Sequence, residues 1–554
     1  MVREMGSGIL ALAVLAMVAP PLVACGEVRR VDRAKDNSSG GSGAASGFTG
    51  SGGSGVSSGA TGGSHGGSNG VSGATGGAAT AGSNGAAGEV GAAGETDAGG
   101  TGVGGAGDGE SASFHWIEGT KEHRERAASA IKPAFLQTLV RPPFDASVLI
   151  GSSELHIGTE QFTEGIVWTE ATGTTGLGGL PGVTPSSLVV FSDAYASSAD
   201  GSVVVGIATN SQHAPVPFRW TRADGMEALA EGGVAVAVSS DGSVVFGDRN
   251  PPLGGLFRWT RELGAVTIVE PLPGDDALRV VAISDDGATL VGESRKDTTA
   301  THLFLWKEGV GTRAIANLPG YAVCLVGPAT YGPSHGFVAG GTCYDENGYK
   351  PFLWAGQDEL VALGPADALG GYESESLDAV TADGSVAVGV ATRGADDSRV
   401  YRWTDANGFE LIKLPDGHAS STLAPSPALM SADGSVVVGR MDGAQSHSFL
   451  WSESAGAIVL SPLEGHDLSI VMAVSADGSV AAGSSRLSGG ASTAVYWRAD
   501  GVPHRIADEL VAQGIDLGAG ALTDPQAALT PLGFFGYGSK GAVGTRLAWR
   551  ARLP

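Results

Sequence analysis

Three side-chain types in this sequence recur at spacings that could support chemistry: three cysteines, a repeated aspartate and a repeated tryptophan. Cys324 and Cys343 flank the turn signal Gly332-Pro333-Ser334, and their midpoint falls between Pro333 and Ser334. A hairpin centred there sets the two thiols across neighbouring strands, so a disulfide is expected in an oxidising compartment, with two buried free thiols as the alternative. Asp200, Asp241, Asp286, Asp383, Asp433 and Asp477 are each followed by glycine. Calcium needs several oxygen donors close together. One aspartate followed by Gly and a small residue fits a turn instead, and no metal is expected. His302 and His447 occupy equivalent repeat positions, where hydrogen bonding at a strand start is the expected role. Gly62-Gly63-Ser64-His65-Gly66 matches the serine-hydrolase pattern G-x-S-x-G, but the Gly/Ser-rich surroundings supply neither the strand nor the helix that a nucleophile elbow requires. There is no H-E-x-x-H, phosphate-binding loop or C-x-x-C. No catalytic residue and no cofactor are therefore expected.

The elements that must position these residues form a repeat. Trp168, Trp220, Trp259, Trp306, Trp354, Trp403, Trp451, Trp497 and Trp549 lie 39 to 52 residues apart. Such a period marks a repeat architecture. Each unit has an apolar piece, an Asp-Gly pair, a valine-rich run such as Val203-Val204-Val205, and then Phe-x-Trp. Asp-Gly between two apolar runs signals a hairpin, expected here as a two-residue type I′ turn. Two units lack the pair, around Gly336–Gly340 and Leu532–Gly536. A fourth, shorter strand follows the tryptophan, as in Met226-Glu227-Ala228-Leu229. Unbroken valine triplets mean strands covered on both faces, whereas a half-exposed strand would alternate. The expected fold is all-β: a β-propeller of about eight to nine four-stranded antiparallel blades. A parallel β-helix is the runner-up. The tryptophans are assigned to packing between blades rather than to an aromatic binding face. Ile506–Gly514 has i, i+4 apolar spacing and a terminal glycine, which predicts one short helix before the last unit.

Composition narrows the function. The formal charge is −25 and the isoelectric point about 4.7, which argues against nucleic acid and against direct attraction to anionic lipid. Residues 1–25 carry an apolar run from Ile9 to Ala19, too short to remain as a membrane anchor. The run ends in Leu22-Val23-Ala24-Cys25-Gly26, which resembles a bacterial lipobox. The resemblance implies that Cys25 becomes the lipidated N-terminus of a lipoprotein. Gly26, rather than Asp, at the next position implies the outer membrane. Residues 26–112 are rich in Gly, Ser, Ala and Thr. They are expected to be a disordered tether with a reach of roughly 45–50 Å. Residues 113–144 form a transition, with a short helix expected near Lys121–Ala130, and the propeller is expected over 145–554.

The repeat also resembles the HAF-repeat family of extracellular bacterial proteins, named for His-Ala-Phe ahead of tryptophan. The matching residues are His302-Leu303-Phe304-Leu305-Trp306 and His447-Ser448-Phe449-Leu450-Trp451, with Leu272-Pro273-Gly274, Leu318-Pro319-Gly320 and the ending Ala548–Leu553. The resemblance implies an exported propeller-like array and supplies no catalytic residues. The sialidase Asp box and the WD40 Trp-Asp ending are both missing. The expected function is binding or scaffolding of a protein or glycan ligand by a monomer held in the cell envelope through its N-terminal lipid. A propeller lyase or glycosidase acting on envelope polymers is the alternative, and a passive surface coat a third.

Overall fold

The computed structural model describes residues 112–117, 130–133 and 148–553, apart from short segments at 158–159, 184–191, 250–253, 297–299, 333, 346–347, 365–368, 395–396, 419, 424–428, 443–446, 519, 531–532 and 541–544. Cys25, the tether and the helix expected near 121–130 lie outside the described residues.

Asp-Gly hairpins organise what is described. Among the described residues, 36 strands fall into nine groups of four. The first eight span 130–176, 192–228, 234–269, 277–315, 323–362, 373–411, 420–460 and 468–505; the ninth joins 520–552 to Ser113–Ile117. These are blades 1 to 9. Within each blade successive strands pair antiparallel. Two parallel pairs, Thr301 with Val323 and Ala316 with Glu359, link blades 4 and 5. First strands of neighbouring blades touch one another, which sets them innermost. The valine runs lie on the second strands, and Val203–Thr209 is buried at every position.

The ring closes between the first and last described strands. Ser113–Ile117 is the outermost strand of blade 9 and pairs with Thr545–Arg552, Trp116 opposite Trp549. Ile117, Leu149, Ile166, Trp168, Phe535, Leu547 and Ala548 then form one core cluster shared by blades 9 and 1. Arg550 lies 5.8 Å from the centre of the Trp168 ring and donates to Glu170 at 2.9 Å. The propeller thus draws strands from the stretch read as a transition, both here and at Ala130–Pro133. The Phe114-x-Trp116 pattern was the available signal for the first of these. A helix at Ile506–Ala512 follows the last strand of blade 8, and Gly514 at φ 79° ends it.

The turn itself differs from the expected type I′. Ser198 and Val203 close a loop of four residues in which glycine alone has positive φ. The larger loop has room for contacts that a two-residue turn lacks. Asp200 accepts from the Ser198 hydroxyl at 2.7 Å and the Ser202 N–H at 3.0 Å, and the Ser198 hydroxyl accepts the Val203 N–H at 3.0 Å. The same set recurs around Asp241, Asp286, Asp383, Asp433 and Asp477. These bonds hold each carboxylate below its ordinary pKa, so the turns keep their charge well into acid.

Each turn also locks onto its neighbours. The Ala199 N–H donates to the Ser240 carbonyl at 3.0 Å, Ser240 to Asp285 at 2.9 Å, and Ala432 to Ala476 at 2.8 Å. Gly242, at φ 74°, sits so close to Val203 of the preceding blade that an added Cβ would lie 2.3 Å from it. Gly201, Gly287, Gly434 and Gly478 rest in the same way on Val148, Val244, Val386 and Val436. Eight of the nine repeat tryptophans are buried between blades, and Trp403 is half-buried. Arginines cap this packing. Arg219 faces Trp259 of the next blade at 5.5 Å and Arg402 faces Trp451 at 5.5 Å, about 0.5–2 kcal/mol each.

Glycine in these turns therefore serves both conformation and space. Gly225 shares the positive φ, at 73°, but has nothing within 4 Å of an added Cβ. Gly225→Ala is expected to lose about 1–2 kcal/mol to backbone strain alone. Gly242→Ala adds a steric clash of about 1–3 kcal/mol. Urea denaturation midpoints of the two variants measure the difference.

Candidate functional site

Antiparallel order sends the connections to two opposite ends. Turns between strands 1 and 2, and between 3 and 4, lie at one end, where the Asp-Gly turns bond to each other. Connections between strands 2 and 3, and from one blade to the next, lie at the opposite, open end.

At the open end a second turn recurs ahead of most first strands. The N–H of Val183, Asp275, Tyr321, Tyr372, His418 and His466 donates to the carbonyl of Leu180, Leu272, Leu318, Leu369, Pro415 and Leu463 respectively. The glycine before each donor has φ between 79° and 97°. A type II turn demands such a glycine at its third position. The residue after it takes four side-chain types over the six turns: valine before blade 2, aspartate before blade 4, tyrosine before blades 5 and 6, and histidine before blades 7 and 8.

Partners come from the strands beside each turn. Asp275 Oδ2 lies 3.0 Å from His302 Nδ1. Tyr372 donates to Asp397 at 2.8 Å, Arg393 contacts the same carboxylate at 2.6 Å, and its guanidinium sits 4.5 Å from the Tyr372 ring centre. His466 Nδ1 meets the Ser485 hydroxyl at 3.0 Å. His418 and His447 face each other with ring centres 6.3 Å apart. In blade 8 an open groove of about 460 Å³ runs from Glu464 past His504 and Arg505 to Asp508 and Glu509. The His504 ring stacks on Tyr496 at 4.9 Å.

Charged groups deeper between the blades join blades 3, 4 and 5. Arg279 donates to Glu293 at 2.8 Å and to the Val326 carbonyl at 3.3 Å, while Glu293 accepts the Val326 N–H at 3.0 Å. Asp248 lies nearby, with Oδ1 out of solvent and without a hydrogen bond. Burial pushes its pKa up to about 7 against the pull of Arg295 and Arg279. On the first strand of blade 6, burial likewise raises Asp378 despite a 2.6 Å bond from Ser376.

The residues singled out in the sequence divide among these places. Cys324 and Cys343 stand opposite each other on the first two strands of blade 5, with their sulfurs bonded at 1.99 Å. His302 and His447 each meet the turn residue of their own blade. The Asp-Gly carboxylates act as turn anchors, and no group of three or more His, Cys, Asp or Glu among the described residues could hold a metal. The open-end turn residues were not found from sequence, although Leu-Pro-Gly stands at three of the turns, two of them among the motifs singled out above. Arg279 and Glu293 are cross-strand partners in blade 4, and Asp248, which completes the group, comes from blade 3 and so left no local motif.

The fold and this surface define a nine-bladed β-propeller with one end tied and the other varied. No protein-family model matches the sequence, and no curated protein matches it. Among solved structures, the chain is similar to a prolyl endopeptidase at 13% identity and TM-score 0.37, over 67% of this chain and 55% of that one. The chain thus spans about half the length of that protein. It is also similar to the β-propeller domain of the Trilobed protease from Pyrococcus furiosus, at 9% identity and TM-score 0.30, covering 59% of this chain and 98% of that one. A third is TolB from Acinetobacter baumannii, at 14% identity and TM-score 0.27, covering 55% and 79%. Among the described residues, no helix is long and apolar enough to cross a membrane.

Asp248 makes the propeller pH-sensitive. A carboxyl whose pKa is about 7 folded and 3.8 unfolded holds its proton more tightly when folded. The stability it supplies is complete below pH 4 and is lost as the pH rises through 7. Asp248→Asn is expected to flatten that fall, so its urea midpoint exceeds the wild-type value at pH 8 and converges with it near pH 4.

Proposed function

We propose that this chain is a lipid-anchored envelope protein whose propeller binds a protein or glycan ligand at its open end. One observation carries the reading. The tied end repeats the same hydrogen bonds from blade to blade, whereas the open-end turn keeps its backbone and changes its side chain. Tyrosine, histidine and acid–arginine pairs on a rigid scaffold form a contact surface at low ordering cost. The lipobox-like sequence ending at Cys25, the Gly/Ser-rich stretch after it and the Cys324–Cys343 bond support an exported, tethered protein. The resemblance to the HAF-repeat family supports the same address.

The ligand is sought by probing glycan and peptide arrays from the cell envelope with the purified chain. Tyr321→Ala and His466→Ala are expected to weaken the recovered interaction about tenfold or more, as interface hot spots do, while Ser243→Ala at the tied end leaves it unchanged. Absence of any ligand, or equal loss in all three variants, counts against the reading. Cys25→Ser is expected to move the chain from the membrane fraction to the soluble one. Retention of that variant in membranes removes the lipid anchor from the proposal.

A propeller lyase or glycosidase acting on envelope polymers is the second reading. The half-buried Asp248 favours it, because a carboxyl with its pKa pushed up to about 7 beside arginines suits general acid–base work. Depolymerisation of envelope glycan by the wild type but not by Asp248→Asn would move the assignment to this class.

A further inference from the structure

Aromatic rings in this propeller are packed away, with one exception. Among the described residues, Tyr349, 40% exposed, is the one aromatic among the exposed large hydrophobic side chains. It stands at the open end, on the third strand of blade 5, opposite Tyr344 on the second strand. The two ring centres are 6.1 Å apart and the ring planes meet at 39°. Neither hydroxyl bonds to another described residue. Those of Tyr372 and Tyr401 are taken up by Asp397 and by the Ser376 carbonyl. The tyrosine pair is braced from behind. Cys343, next to Tyr344, is bonded to Cys324 on the first strand, and Lys350, next to Tyr349, donates to the Gly364 carbonyl at 3.0 Å. Cross-strand pairing accounts for the contact between the rings but not for the face left open.

We propose that Tyr344 and Tyr349 form a stacking platform for an uncharged oligosaccharide. This rests on the reading that the open end binds a ligand, and it narrows that ligand to a neutral glycan seated on blade 5. A pyranose ring has a face of C–H groups and a rim of hydroxyls. A phenol matches both, with a flat apolar face and a hydroxyl that donates and accepts. Tyrosine also gives this contact at little ordering cost, and the disulfide behind Tyr344 fixes the strand that carries it. Charge selects among glycans: at a formal −25 the chain repels uronate and sulfated polymers. Proline-rich peptides also stack on tyrosine, but they dock in grooves lined by aromatic rings. These two rings adjoin, with no gap between them for a pyrrolidine, which favours the sugar.

The test is titration calorimetry of the full-length, detergent-solubilised chain with cellohexaose, xylohexaose, mannohexaose and chitohexaose. Hexagalacturonate serves as the anionic control and decaproline as the competing class. At least one uncharged hexaose is expected to bind, and the two controls to give no binding. Tyr349→Ala and Tyr344→Ala are expected to lose affinity about tenfold or more, whereas Tyr349→Phe, which keeps the ring, holds most of it. The exposed Tyr349 side chain carries little of the fold, so the urea midpoint of Tyr349→Ala is expected to match the wild type and separates ligand loss from unfolding. No binding of any uncharged hexaose, equal binding of hexagalacturonate, binding of decaproline instead, or sugar binding that survives both alanine variants overturns the assignment. A ligand lost through Tyr321→Ala and His466→Ala but kept by both of these alanine variants removes the platform alone and leaves the open-end reading standing.

Discussion

Everything in this propeller leans on one small hydrogen-bonded knot. A buried serine or threonine hydroxyl donates to the aspartate two residues on and accepts the first N–H of the strand that follows. The hydroxyl is thereby satisfied inside the protein, where an unpaired one would cost stability. The glycine after the aspartate then meets the previous blade with no side chain in the way. One five-residue motif thus sets the turn, starts the second strand and spaces the blades. Its repetition makes the ring regular on that side and leaves the opposite side free to diverge.

The same economy appears in the strands. The glycine after each valine run lies beneath an aromatic ring of the third strand: Gly247 under Phe257, Gly292 under Phe304, Gly439 under Phe449. An added Cβ would come within 2.6 Å of the ring in each case. The Phe-x-Trp pattern therefore has two distinct jobs. Phenylalanine packs within its own blade and tryptophan reaches the neighbouring seam, where arginines such as Arg219 and Arg402 cover it.

Much of this was legible in the sequence because it is local and repeated. Asp-Gly between apolar runs marked the hairpins, the valine triplets marked strands covered on both faces, and the spacing of Phe-x-Trp gave a blade count within one. The turn class was misread: a dipeptide signal does not reveal a serine two residues earlier that draws the loop out to four. The strand Ser113–Ile117 was not recognised as part of the ring because its partner lies at the far end of the chain. The open-end residues escaped for a different reason. Their turn repeats while their side chains do not, and repeat reading rewards sameness. The Arg279–Glu293 pair is cross-strand within blade 4, but its ties to Val326 of blade 5 and its nearness to Asp248 of blade 3 have no linear trace.

The way the ring shuts bears on how the molecule is made. The Trp116 indole donates to the Leu517 carbonyl, 401 positions later. A chain born from its N-terminus therefore exposes an unmatched β-edge throughout synthesis, and such edges invite aggregation. Blade 9 cannot be completed until Thr545–Arg552 has been made. Biogenesis consequently favours handling the nascent polypeptide in an extended state and letting circularisation come last.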